Sequence, residues 1–145
     1  MNRGSYIPPG VDVPLAGWGT RALGAILDGV IVGIPTYLIA LAAAIRGRTG
    51  YLYLELATSF VYSFGLIAFW GRTLGMAALR LDAVDAVDGH LPIGPVRAAV
   101  RSLTAGVLTV FLIGAVVDLL WPLWDARNQT LHDKAAGTVV LRRYG

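Results

Sequence analysis

Arg21 and Asp28 stand seven residues apart at the head of a run that is otherwise soluble in lipid, Ala22 to Ile45. Seven residues is nearly two helical turns, so both side chains leave one face of one helix, about 10 Å apart along its axis. A carboxylate near the hydrocarbon core costs about 2.5–3.5 kcal/mol on insertion scales. Such a group pairs with a cation, lines a wet cavity or takes up a proton. Asp28 therefore reads either as a proton or cation site, or as half of a structural ion pair with Arg21, Arg101 or Lys134. The spacing leaves both open. Arg21 lies far along the helix, so Arg101 or the Asp133 region is the expected closing partner.

The remaining ionisable groups are sparse. Asp118 lies toward one end of a third apolar segment, beside Trp121 and Trp124, where an interfacial position is expected. Glu55 lies one turn into the second apolar run, shallow enough to snorkel to the headgroups. His132-Asp133 is a neighbour pair suited to proton handling, or to a cap or surface network beneath the bundle. His90 is the only other histidine, and no HExxH or similar ligand spacing exists, so no metal is expected. No Ser-His-Asp set, phosphate loop or nucleotide fingerprint is present. Catalytic residues, a cofactor and enzyme activity are not expected.

The elements that must position these groups follow from composition. Hydrophobic residues make up 56% of the 145 and charged residues only 14%, where soluble chains carry about a quarter charged. The net charge of +3 belongs to flanks and topology. No basic patch is interleaved with aromatics, so nucleic acid is not an expected partner. With no cysteine, disulfides and thiolate chemistry are excluded.

Residues 1–20 read as a polar arm rich in Pro and Gly, with Trp18 as an interfacial anchor. The first span is expected over about 22–45. Ala42-Ala43-Ala44 resembles a cleavage site, but the preceding run is too long for a signal peptide and carries Asp28, so the span is read as uncleaved. Ala25, Gly29 and Gly33 form a small-residue row suited to helix contact. Arg46 to Gly50 reads as a tight turn, and the second span runs over about 51–70. Leu79 to Ala83 and Val139 to Leu141 read as short strands able to pair, and Ile93 to Arg101 as an amphipathic helix on the membrane. A third membrane segment covers about 102–124.

The expected fold is an all-α membrane protein: an antiparallel transmembrane hairpin, a third membrane segment and a charged interfacial or cytoplasmic region. If all three segments cross, Lys and Arg divide six against six. If the third is re-entrant or a bent hairpin, the tail joins the side of residues 71–101 and the count becomes ten against two. The positive-inside rule then favours a cytoplasmic N-terminus and tail. The segment's length argues for a single span instead.

Three stretches coincide in order: Arg21 to Asp28; Gly71-Arg72-Thr73-Leu74-Gly75 with Leu79-Arg80-Leu81, Asp88-Gly89, Leu91-Pro92-Ile93-Gly94, Arg97 and Arg101; and Asp125 to Val140 with its Leu-His-Asp-Lys-Ala-Ala-Gly-Thr-Val-Val core. Together they resemble the RDD family of small membrane proteins over roughly residues 15–143, with residues 21–143 as one membrane domain. The resemblance implies a bacterial cell membrane and a naming triad of Arg21, Asp28 and Asp133; Arg101, His132 and Asp118 stand as supporting candidates from the residues themselves. Met76 stands where many such sequences carry a lysine. For some members ion or proton exchange is the implied role. A pathway would then need a homo-oligomer; the alternative is an adaptor that binds a partner membrane protein.

Overall fold

The computed structural model describes residues 14–143; most of the expected polar arm, with Arg3, lies outside them. Two long helices dominate. Helix α1 is Trp18–Ala42 and α2 is Arg48–Trp70. At 1.5 Å per residue they are about 37 and 34 Å long, enough to cross a bilayer. Only 17% and 11% of their most apolar windows are buried within the molecule. Helices that formed a soluble core would be covered on most sides, so these faces are built for lipid. α1 and α2 form a hairpin closed by a Thr36–Thr58 hydroxyl bond of 2.9 Å and an edge-on Tyr37–Tyr51 ring pair.

Three of the four helix ends differ from the expected ones by three or four residues, and α2 ends at Trp70 as expected. α1 stops at Ala42 because Ala44 adopts a left-handed conformation, with Ile45 N–H donating back to Ala40. The turn is thus residues 43–47. Arg48, Thr49 and Gly50 already belong to α2.

The 71–101 region begins with the five-residue helix α3, Leu74–Ala78, capped by the Thr73 hydroxyl. Strand β1, Leu81–Asp85, follows and pairs antiparallel with β2, Thr138–Arg142, in the register Ala83 opposite Val140. Leu15 adds an isolated bridge to Leu141. The small sheet is buried among Ile67, Met76, Leu81, Ile93, Ala98 and Val140, beneath one end of the helical hairpin.

The segment 102–124, expected as a third membrane segment, is not one helix. The expected surface helix and the start of that segment are one continuous element, α4, Gly94–Val110. Phe111 is extended, and α5, Leu112–Leu120, starts a new direction, followed by a 3-10 turn, Trp121–Leu123. At about 14 Å, α5 is too short to cross alone. A side chain on Gly114 would meet the Leu108 carbonyl at 2.8 Å, so the missing Cβ permits this tight corner. The result is a bent hairpin that returns to the end from which α4 entered. Helix α6, Leu131–Ala136, then leads into β2.

Candidate functional site

The tail helix is built around Asp133. Thr130 and Asp133 form a reciprocal capping box, each side chain accepting from the other's backbone N–H. This is how a six-residue helix starts reliably. It also fixes the Asp133 carboxylate, which is fully buried, between two guanidiniums. Arg21 Nη2 reaches Oδ2 from α1, and Arg101 Nη1 reaches Oδ1 from α4. Arg101 also donates to the Thr138 hydroxyl at 3.2 Å. One carboxylate therefore clasps α1, α4 and the tail together. Truncating it leaves two buried cations unpaired.

Asp28 is not part of that clasp. Neither Arg101 nor the Asp133 region closes it, contrary to expectation, because both arginines are committed to Asp133. Its partners are neutral donors: Tyr62 hydroxyl at 2.6 Å, Thr73 hydroxyl at 2.5 Å and Gly75 N–H at 2.8 Å. Tyr62 is itself held by the Leu74 N–H at 3.0 Å. Asp28 thus ties α1 to α2 and to the start of α3. The approach needs Gly75, whose added Cβ would lie 2.3 Å from the Gly24 carbonyl and 2.8 Å from the Asp28 carboxyl.

Asp118 and His132 pair with each other. His132 Nδ1 lies 2.6 Å from one Asp118 oxygen and its backbone N–H 3.1 Å from the other. The bend at Phe111 makes this possible by returning α5 to the tail. The other ring nitrogen lies 3.8 Å from Asp133. Burial, reinforced by the Arg101 charge, holds the His132 ring at a pKa of about 4 despite Asp118, so it is neutral at pH 7. Trp18, expected as an interfacial anchor, donates its indole N–H to the Leu119 carbonyl at 2.9 Å.

A half-open cavity of about 380 Å³ unites these groups. Arg21, Asp28, Arg101, Asp118 and His132 border it, with apolar walls from Ile67, Met76, Leu108 and Leu119. Met76 rather than a lysine faces the space that Asp28 also borders. Arg21 Nε and Nη1 are buried and have no acceptor among the described residues. The small-residue row is placed differently from the expectation. Gly29 and Gly33 have nothing within 4 Å of an added Cβ, and Gly24 makes the close crossing instead. Ala25 is exposed and borders the cavity. The Asp28 helix faces its neighbours through the Gly24 side, leaving that row open within the chain.

Sequence reasoning missed Tyr62, Thr73 and Gly75 as site residues. A tyrosine hydroxyl and a Thr-Leu-Gly turn carry no charge signal; only the fold aims them at Asp28. No group of His, Asp and Glu among the described residues is placed to hold a metal.

Two lipid-facing helices, a bent helical hairpin and a buried arginine–aspartate clasp define a small helical membrane protein. The chain belongs to the RDD family, whose profile matches residues 15–137. It is 26% identical over 152 aligned positions to the proline-rich antigen of Mycobacterium leprae (strain TN), covering 86% of this chain and 59% of that protein. It is 35% identical over 71 positions to the proline-rich antigen homolog of Mycobacterium tuberculosis (strain ATCC 25618 / H37Rv), covering 49% of this chain and 28% of that one. The chain thus spans under two thirds of the length of these relatives. No solved structure matches it.

Proposed function

We propose that this protein exchanges protons or small cations across a bacterial cell membrane, as an oligomer, with Asp28 as the ion-holding group. One observation carries the reading. Asp28 borders a cavity and is held by the neutral donors Tyr62, Thr73 and Gly75, whereas Asp133 has both arginines. A carboxylate already paired with arginine has little left to offer a mobile cation. Asp28 keeps an uncompensated charge that a proton or cation can meet. Arg21 and Arg101 are fixed countercharges that hold the frame. The cavity is half open, which is why a second copy is part of the proposal. With the tail on the side of residues 71–101, nine of the eleven Lys and Arg among the described residues share one side, which supports a cytoplasmic N-terminus.

The test is ion flux in proteoliposomes. Asp28→Asn keeps shape and removes ionisation, so flux should collapse while the protein still inserts. Wild-type flux in well-folded Asp28→Asn protein removes Asp28 from the mechanism. The open Gly29–Gly33 row favours a second reading, a membrane adaptor that docks a partner helix there. On that reading Asp28→Asn leaves permeability untouched and lowers abundance or partner capture.

A further inference from the structure

A second, half-open groove lies between two helices of the bundle, mostly apolar but with a few polar side chains along it. A half-open cavity of about 390 Å³ runs between α2 and α4 and is bordered by Glu55, Ser59, Ser63, Ser102 and Thr109. Ser63, Ser102 and Thr109 also border the cavity that holds Asp28, so the two spaces adjoin across one wall. At that wall the Ser63 and Ser102 hydroxyls bond at 2.9 Å. On the far side the Ser59 hydroxyl and the Tyr51 hydroxyl each lie 3.4 Å from a Glu55 oxygen.

Serines and threonines in membrane helices commonly satisfy themselves by bonding the carbonyl four residues back. Thr58 and Thr109 do so here, to Leu54 and Ala105. Ser59 and Ser63 bond side chains instead. Together with Glu55 they form a stripe at four-residue spacing along one face of α2, about 12 Å long. Tyr62, adjacent to Ser63, donates to Asp28. A carboxylate and three hydroxyls facing a roomy space give water the several polar partners it requires. A stripe of this kind on a purely lipid-facing groove would leave Glu55 costly and unused.

We infer that Glu55, Ser59, Ser63 and Ser102 line a water-filled path joining the Asp28 cavity to the membrane side of the 43–47 turn, with Glu55 as a second carboxylate for the same proton or small cation. The inference rests on the proposed exchange function for its cargo, and on the two adjoining cavities for its route. It assigns Glu55, at sequence level a snorkelling side chain, a place at the far mouth.

The chain has no cysteine, so single thiols report local water directly. Ser59→Cys and Ser63→Cys in proteoliposomes should react with a water-soluble cationic methanethiosulfonate roughly tenfold or more faster than Val61→Cys, since only a hydrated thiol forms thiolate. Val61 is the control because it lies on the same helix and faces outward, 69% exposed. Equal rates at all three positions overturn the path. Glu55→Gln should lower flux to the level of Asp28→Asn. Full flux in Glu55→Gln beside lost flux in Asp28→Asn overturns the path and leaves the Asp28 reading standing. Fast labelling of Ser59→Cys and Ser63→Cys without wild-type flux of any ion supports the path and overturns exchange.

Discussion

At the residue scale, two aspartates with the same chemistry have opposite surroundings. Asp133 carries two buried guanidiniums and a helix cap; Asp28 carries three neutral donors. Removing one partner of a buried ion pair costs about 3–5 kcal/mol, because the other charge is stranded. Asp133→Asn strands two, so it should lower thermal stability in detergent by at least that much and abolish most accumulation in the membrane. Asp28→Asn, which strands no cation, should cost less in the same melt. An Asp133→Asn protein as stable as wild type would show that the clasp does not hold the fold. His132 adds a pH dependence. Its folded pKa of about 4 lies below the unfolded value near 6.5. The folded state therefore resists a proton that the unfolded state accepts. Its stability is complete above pH 6.5 and falls as pH drops toward 4, by up to about 1.4 kcal/mol per unit. Melts at pH 7 and pH 5 should differ in wild type, and the difference should shrink in His132→Asn.

At the element scale, close approach is concentrated at one crossing. Gly75→Ala drives a methyl against the Gly24 carbonyl and the Asp28 carboxyl, and backbone cannot give way as a flexible side chain can. Overpacking of this kind costs about 1–3 kcal/mol. Gly29→Ala meets nothing within 4 Å and gains helix propensity, so it should leave the monomer's melting temperature unchanged or slightly raised. The pair separates a crossing built into the chain from a face left open within it. If Gly29→Ala lowers the melting temperature as much as Gly75→Ala does, the row is packed in solution. α4 and α5 show the same economy of space: Gly114 lets α5 turn beside Leu108, and that turn carries Asp118 back to His132.

At the scale of the whole molecule, the β1–β2 pair and the clasp put the tail with residues 71–101, at the end of the hairpin opposite residues 43–47. A cysteine at exposed Ala135 and one at exposed Arg46 should therefore label from opposite sides of the membrane with an impermeant reagent. Labelling of both from one side rejects this arrangement. Charge agrees with it: of the eleven Lys and Arg among the described residues, only Arg46 and Arg48 lie at the 43–47 end.

Local pattern was enough to read the family and the two long helices, since an apolar run of more than twenty residues can satisfy its backbone in lipid only as a helix. The pairing of Leu81–Asp85 with Thr138–Arg142 was visible in outline from alternation and turn residues. The bend at Phe111 was not, because Ser102 to Trp124 is apolar on both sides of it and hydropathy carries no direction. The choice of partner for each aspartate was invisible too. Arg21 and Arg101 lie 80 residues apart and meet at Asp133, which no spacing rule encodes. Sequence alone determined which groups are charged and that lipid forces them inward. Tertiary structure decided which carboxylate received the arginines, because a buried charge pairs with whatever the packed helices bring within a few ångströms.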